Sequence, residues 1–392
     1  MKNKKFTYID IFAGCGGLSL GLYNSKKWRG IFAVEKNKDA FMTLKHNLID
    51  SKNHFNFPEW LDEKEHDINE ILKNKNLRKY AGKIDLVVGG PPCQGFSLAG
   101  RRNEKDARNS LVYSYLKFIK VIQPKILFFE NVKGFGVSFK GTNKKPMSET
   151  VIEELQKIGY KDARFEILDF SQFGIPQSRK RIVIIATKNG KAQDFFSILK
   201  KQSQKILKKK GLNSYITLGE AISDLYKGNS CIKSPDSVGF TTVEYKPIKS
   251  KYQKLMRQNI DHNIPDSHRF ANHTTKTLKK FSQIINEKLS SKKIQQKFCT
   301  KKTSTRLLDQ NKPSPTITTL PDDYVHYKES RILTVREYAR IQSFPDDFEF
   351  KGKYTTGGKL RKKEVPRYTQ IGNAIPPLFG EQVGVILAQL LK

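Results

Sequence analysis

The run Asp10-Ile11-Phe12-Ala13-Gly14-Cys15-Gly16-Gly17 reads as a strand that ends in a glycine-rich turn and opens a helix. Thr7–Phe12 is the strand, and Leu18 to Ser25 is the helix. Glycines in such a turn let the backbone bend tightly and let a ligand come close to the main chain. A second strand-like run, Gly30–Glu35, follows, and it ends on an acid. In doubly wound sheets an acid at that place holds ribose hydroxyls, so the two segments together point to a nucleoside site. A dinucleotide and S-adenosylmethionine both remain open here. A plain tight turn is the simpler alternative, because a lone glycine motif is weak.

Working outward, the first half keeps alternating. Lys38–Leu48 and Leu111–Ile122 have helical patterns, whereas Asp85–Gly89, Ile126–Asn131 and Arg181–Ala186 are short apolar strands. Strands alternating with helices predict an α/β fold with a doubly wound, mainly parallel sheet and helices on both faces. After Thr187 the pattern changes. Lys200–Lys210 is a basic run, and the chain as far as Lys302 is polar and Lys-rich. Helical pattern returns at Thr334–Ile341 and Gly380–Leu391. The expected organisation is a catalytic, cofactor-binding domain over 1–188, a smaller domain with a hinge over 189–330, and 331–392 as hinge helix and returning C-terminal segment.

Composition narrows the partner. The chain carries 72 Lys and Arg against 38 Asp and Glu, a net charge of +34. Basic surface attracts a phosphate backbone and releases its counterions, so nucleic acid is the first reading, ahead of a Lys-heavy usage inherited from an AT-rich genome. The four cysteines, at 15, 93, 231 and 299, form no CxxC pair, which argues against a zinc site and a disulfide framework. The basic, Gly-interrupted start makes a poor signal peptide, and no apolar run reaches membrane-spanning length. A soluble cytoplasmic protein without a metal is expected.

Chemistry concentrates in four segments. Gly89-Gly-Pro-Pro-Cys-Gln-Gly-Phe-Ser97 ends a strand and presents Cys93 at the sheet's carboxyl edge, where such folds bind ligands. A buried structural thiol is the usual reading of one Cys, but this one sits in a loop between Pro-Pro and Gly, and a thiolate there is a nucleophile. Glu130-Asn-Val132 ends another strand and supplies a carboxyl group for acid/base work, or is an ordinary strand-end acid. Gln177-Ser-Arg-Lys-Arg181 offers Arg179 and Arg181 on one side of an extended chain, or is a solvated basic turn. Asp67-Ile68 pairs an acceptor with an aliphatic side chain, although an Asp there is otherwise a helix N-cap.

Together DIFAGCGG, GGPPCQGFS, ENV, QSRKR, KPSPTIT and QIGNAIPP resemble the ordered motif set of the DNA (cytosine-5) methyltransferase family, from about Asp10 to Pro377. With no added regulatory segment, the chain looks like bacterial restriction-modification members. The resemblance implies a methyltransferase fold that uses S-adenosylmethionine, with a target recognition domain inserted in the middle. It implies that Cys93 attacks C6 of a flipped-out cytosine, Glu130 holds or protonates N3, and Arg181 binds the carbonyl oxygen with Arg179 assisting. It assigns the cofactor to Phe12, Gly14, Gly16, Gly17, Glu35, Asp67, Ile68, Pro92, Leu111 and Asn373. The terminal helix would then return beside the first strand. It assigns double-stranded DNA to Gln94, Ser97, Arg101, Arg102, Arg108, Arg306 and Thr316. Leu98–Asn109 is polar, contains Gly100 and carries three arginines, and it reads as a mobile lid over the flipped nucleotide or as a passive surface loop. The stretch between Leu48 and Asp67 is long for the family, and Tyr354–Lys363 is a Gly- and Lys-rich insertion without an assigned role. The expected protein is a monomer, with a restriction endonuclease of the same specificity as a possible companion.

Two other functions fit the same scaffold: an RNA cytosine methyltransferase, and a catalytically silent nucleic-acid binding protein. A dinucleotide-dependent oxidoreductase explains Glu35 and the turn but leaves Cys93 without a role.

Overall fold

The architecture is that of a computed structural model, which describes residues 5–92, 110–138, 145–358, 360 and 364–392. Its first elements follow the glycine-rich turn: β1 (Phe6–Ile11), α1 (Gly17–Asn24), β2 (Trp28–Val34) and α2 (Lys38–Leu44). Next come α3 (Ile68–Lys73), β3 (Leu86–Gly89), α4 (Ser110–Ile122), β4 (Ile126–Val132), α5 (Met147–Lys157) and β5 (Asp162–Asp169). A two-residue strand β6 (Gln177–Ser178) then precedes β7 (Lys180–Thr187) and α6 (Ala192–Lys209).

Six strands form one sheet in the order β2-β1-β3-β4-β7-β5. β1 pairs in parallel with β2 and β3, and β3 with β4, while β7 runs antiparallel between β4 and β5. The sheet is therefore mainly parallel, as predicted, with one reversed strand. Alternation along β1 sets the layers. Ile9 and Ile11 join a core with Val112, Tyr115, Phe118, Val151 and Leu155 of α4 and α5. Tyr8 and Asp10 point to the other face, where Asp10 meets Ser19 of α1.

The chain divides into two compact units. One comprises Met1–Phe173, Arg179–Ile206 and Pro377–Lys392, and the other Gly174–Ser178 and Leu207–Pro376. This division differs from the expected boundaries in three places, the first being Gly174–Ser178, which belong to the second unit. Most of α6 belongs with the sheet, because Phe195, Phe196, Leu199 and Ser203 bury one side of the helix whose other side is the basic run. Of the 331–392 segment, only the terminal helix α13 (Pro377–Leu390) belongs to the sheet unit. It packs along α1, and Trp28 Nε1 of β2 donates to its Gly384 carbonyl at 2.7 Å.

The second unit contains α7 (Leu218–Ile222), the hairpin β8 (Ile232–Lys233) with β9 (Thr241–Thr242), α8 (Lys251–Met256), α9 (Thr275–Asn286) and α10 (Ser291–Lys297). It continues through β10 (Arg306–Leu307), β11 (Ser314–Pro315), β12 (Tyr324–Val325), α11 (Val335–Ile341) and α12 (Arg367–Asn373). α11 is buried on every side, including Arg336, Glu337 and Arg340. Arg340 meets Asp346 at 2.5 and 2.6 Å and Asp224 at 3.2 Å, and Arg331 forks onto Glu337 with two bonds of 2.7 Å. The helices between 210 and 302 are short, from five to twelve residues, so few turns repeat a pattern that could be read there.

Candidate active site

Strand direction assembles the site. The carboxyl ends of β1, β2, β3 and β4 lie at one edge of the sheet, and the reversed β7 brings its amino end to that same edge.

At the β1 exit, Phe12 adopts φ +62°, a left-handed conformation that costs an aromatic residue roughly 1–3 kcal/mol. Such strain persists where the surroundings impose it. Gly16 has φ +90°, and a Cβ there would stand 2.7 Å from Leu48 Cδ1. Leu48 reaches it because the helix predicted over 38–48 widens into a π-helical segment, Lys45–Asp50, after Leu44. Glu35 closes the turn. Its Oε2 accepts from Gly14 N at 2.9 Å and its Oε1 from Asn37 N at 2.7 Å. Burial raises the Glu35 carboxyl above its ordinary value, against these backbone donors. Each oxygen keeps a further acceptor site, so the carboxylate fits paired hydroxyls such as those of a ribose.

The long stretch before Asp67 does not displace it. Phe55 bridges in parallel to Gly30, Asn56 N donates to the Gly30 carbonyl at 3.0 Å, and His66 N donates to the Glu35 carbonyl at 2.8 Å. The segment thus runs beside β2 and delivers Asp67 to the end of that strand. Asp67 also caps α3, accepting from Asn69 N at 2.8 Å, and pairs with Lys36 at 2.7 Å. Burial opposes ionisation of Asp67, but Lys36 and the Asn69 N–H outweigh it and hold the carboxyl below its usual range. Ile68 is buried, and Leu111 packs partly buried against the same core.

At the β3 exit, a Cβ on Gly90 would lie 2.7 Å from the Glu130 carbonyl oxygen, so the chain leaves β3 pressed against β4. Asn131 Nδ2 then donates to the Pro91 carbonyl at 3.1 Å, tying the start of the Pro-Pro turn to β4. The sequence reading singled out Glu130 and passed over Asn131, although it stands in the same ENV run. Pro92 is exposed. Cys93, Gln94, Ser97, Arg101, Arg102 and Arg108, and the whole lid 98–109, lie outside the described residues.

Glu130 is 8% exposed. Val132 pairs with Arg181 across the β4–β7 ladder, and Arg181 Nε stands 3.1 Å from Glu130 Oε1. Arg179 is buried at the same strand entry. Burial pushes the Glu130 carboxyl up, the Arg181 and Arg179 charges pull it down, and the net value stays above that of an ordinary Glu. A buried carboxyl whose pKa is raised is suited to exchanging a proton with a ring nitrogen.

Other assigned residues belong to the second unit. Asn373 is exposed at the end of α12, and Arg306 is exposed on β10. Thr316 Oγ1 donates to the Ser178 carbonyl at 2.8 Å, and Gln177 pairs with Ser314 and accepts from Ile317 N. The QSRKR run therefore spans both units, with Gln177 and Ser178 held by the KPSPTIT segment and Arg179 onward entering the sheet. Among the described residues no cluster of His, Cys, Asp and Glu could hold a metal ion, and no helix is long and apolar enough to cross a membrane.

Comparison with known proteins gives the family and the fold. Residues 6–388 match the family model described as C-5 cytosine-specific DNA methylase. The type II methyltransferase M.DdeI of Desulfomicrobium norvegicum is 33% identical over 95% of this chain and 86% of its own length. The type II methyltransferase M1.HphI of Haemophilus parahaemolyticus is 30% identical over 96% of this chain and 85% of its own. In fold, the chain is similar to a DNA modification methyltransferase encoded within a prophage in E. coli, with a TM-score of 0.66, 24% identity and 99% of both chains covered.

Proposed function

The chain belongs to the C-5 cytosine-specific DNA methylase family, and from that membership we propose that it methylates C5 of a flipped-out cytosine in duplex DNA, with Cys93 as the nucleophile. The observation that carries this reading is the Glu130–Arg181 pair, set at the edge where β3 exits toward Cys93 through a turn fastened by Asn131.

In this mechanism the Cys93 thiolate adds to C6 of the ring, and Glu130 holds the proton at N3, so negative charge does not build on the base. Arg181, with Arg179 beside it, binds the carbonyl oxygen on which that charge would otherwise collect; donors placed where charge develops are the usual large catalytic contribution. C5 becomes nucleophilic and would take the methyl group from the bound sulfonium, the thioether S-adenosylhomocysteine being the leaving group; loss of the C5 proton with expulsion of Cys93 then restores the aromatic ring. Bound at the β1 turn, S-adenosylmethionine supplies the electrophilic methyl group. Phe12, Gly14, Gly16 and Gly17 form that turn, Glu35 holds the ribose, and Asp67 and Ile68 take the adenine, with Pro92, Leu111 and Asn373 completing the set. C6 is shielded in a stacked duplex, so the base leaves the stack, and residues 98–109 close over it. Gln94, Ser97, Arg101, Arg102, Arg108, Arg306 and Thr316 contact the DNA, and the second unit reads the target sequence. The enzyme acts as a cytoplasmic monomer and protects DNA from an endonuclease that cuts the same sequence without forming a stable complex with it.

The test is transfer of labelled methyl from S-adenosylmethionine to long mixed-sequence duplex DNA, beside RNA and beside Cys93→Ala. Label in DNA that vanishes with the variant is expected. Label only in RNA would replace the substrate, and label in neither would make the chain a silent binder.

A further inference from the structure

In the second unit, α9 packs one side on a small core of its own. Phe281 and Ile284 meet Leu289, Ile294 and Val325. Helical spacing then puts Lys276, Lys279, Lys280 and Gln283 together on the opposite side. The turn after α10 faces them, so that Thr275 and these four residues line a groove of about 880 Å³ with Phe298, Cys299, Thr300 and Lys301. Lys280 Nζ sits 5.2 Å above the Phe298 ring, which gives the groove an apolar floor beneath its charges.

Four lysines line this groove and no acid does. Among the described residues none of the four takes part in an ion pair, whereas lysines just outside it do: Lys297 pairs with Glu287, and Lys302 with Asp322 and Asp323. Clustered cations without internal counter-charges repel one another, and a polyanion relieves that repulsion. The groove opens at the first turn of α9, where the helix dipole adds positive potential. It is much larger than a single ion requires, and its threonine and glutamine side chains add neutral donors suited to phosphate oxygens.

We propose that this groove grips the sugar–phosphate backbone of duplex DNA, with Lys276, Lys279, Lys280 and Lys301 as the phosphate contacts. The inference rests on duplex DNA being the substrate. It adds a sequence-independent anchor, so its loss weakens binding equally on any duplex and leaves the chemistry alone.

The experiment measures affinity by fluorescence anisotropy across a salt series, for mixed-sequence duplex and for a cytosine-free poly(dA)·poly(dT) duplex. The unaltered protein is compared with the triple variant Lys276→Ala, Lys279→Ala, Lys280→Ala, with Lys301→Ala, and with the triple Lys→Arg variant. Each lost phosphate contact lowers the slope of log K against log salt by about 0.9. The triple alanine variant should lose roughly two to three units of slope and about tenfold or more in affinity on both duplexes. Lys301→Ala should lose about one unit, and the arginine variant none. Methyl transfer at saturating DNA should be unchanged. An unchanged slope in Lys301→Ala and in a folded triple alanine variant would overturn the proposal, as would a loss confined to mixed-sequence DNA. Absence of methyl transfer in the unaltered protein would sink the enzymatic reading while the slopes on cytosine-free duplex still decided the groove.

Discussion

Arg181 Nε stands 3.1 Å from Glu130 Oε1, across a ladder in which β7 runs opposite to β4. Because Glu130 is buried and already raised, the arginine is what keeps it able to ionise. Removing the cation leaves only Arg179 opposing the effect of burial, so the carboxyl takes up its proton more firmly. Arg181→Ala should slow single-turnover methyl transfer by about 100-fold or more, the effect of losing one charge-stabilising donor. The pH–rate limb that reports Glu130 should move to higher pH. A variant that kept both rate and pH profile would place the pair outside the chemistry.

Glu35 joins the turn to the expected ribose site through Gly14 N and Asn37 N. Glu35→Gln puts an amide where two backbone donors point, and it removes the charge that strengthens bonds to hydroxyls. Hydrogen bonds to charged groups contribute about 1.5–3 kcal/mol, so cofactor affinity by calorimetry should fall roughly ten- to a hundred-fold. The DNA dependence of the rate should stay as it was.

Asp10 is buried against Ser19, whose Oγ donates at 2.5 Å, and burial pushes the Asp10 carboxyl up to about 7. Between the unfolded value of 3.8 and that folded value, the folded chain holds a proton that the unfolded chain has lost. Stability from this group is therefore present at low pH and is lost as pH rises through about 7. Asp10→Asn should flatten the pH dependence of the melting temperature between about 4 and 8, and at pH 8 it should be the more stable protein by a gain of order 2 kcal/mol. A variant that melts below the unaltered protein at pH 8 would refute this.

Arg340 serves Asp346 and Asp224 in the middle of the second unit, all three being buried. Arg340→Ala leaves Asp224 with only the more distant Arg257 at 3.4 Å and Asp346 with Arg336 at 3.8 Å and Tyr245, and breaking one side of a buried pair costs about 3–5 kcal/mol. Denaturant titration should show that loss. Arg340→Lys should recover only part of it, because an ammonium cannot fork onto both acids.

Legibility tracked how local the cause was. β1, the turn and Glu35 could be read from adjacent residues because backbone demands at a tight turn are met by residue types in place. β5 was missed because it lies at the sheet's edge, where Phe165 and Ile167 are exposed beside Arg164 and Glu166, so its alternation carries no clean inside and outside. The helix under Lys200–Lys210 was missed because its polar side dominates composition while Phe195, Phe196, Leu199 and Ser203 face inward. Asp67 is both a cap and a strand-end neighbour, and its sequence context supports the cap alone.

By itself the sequence determined the chemistry available to this protein: a glycine-rich nucleoside turn with its acid, a Pro-Cys loop, a strand-end Glu, and two arginines at alternate positions. Those are short-range facts, decided by which side chains follow one another. Only the tertiary structure decided that Arg181 faces that Glu, that Asn131 fastens the Pro-Pro turn, and that the lysines of α9 share a groove with the turn after α10. Those juxtapositions depend on the direction of β7, the close approach of β3 to β4 and the packing of α9. Such pairings close long loops, and their entropic cost is offset by core burial spread over many residues rather than by any local signal.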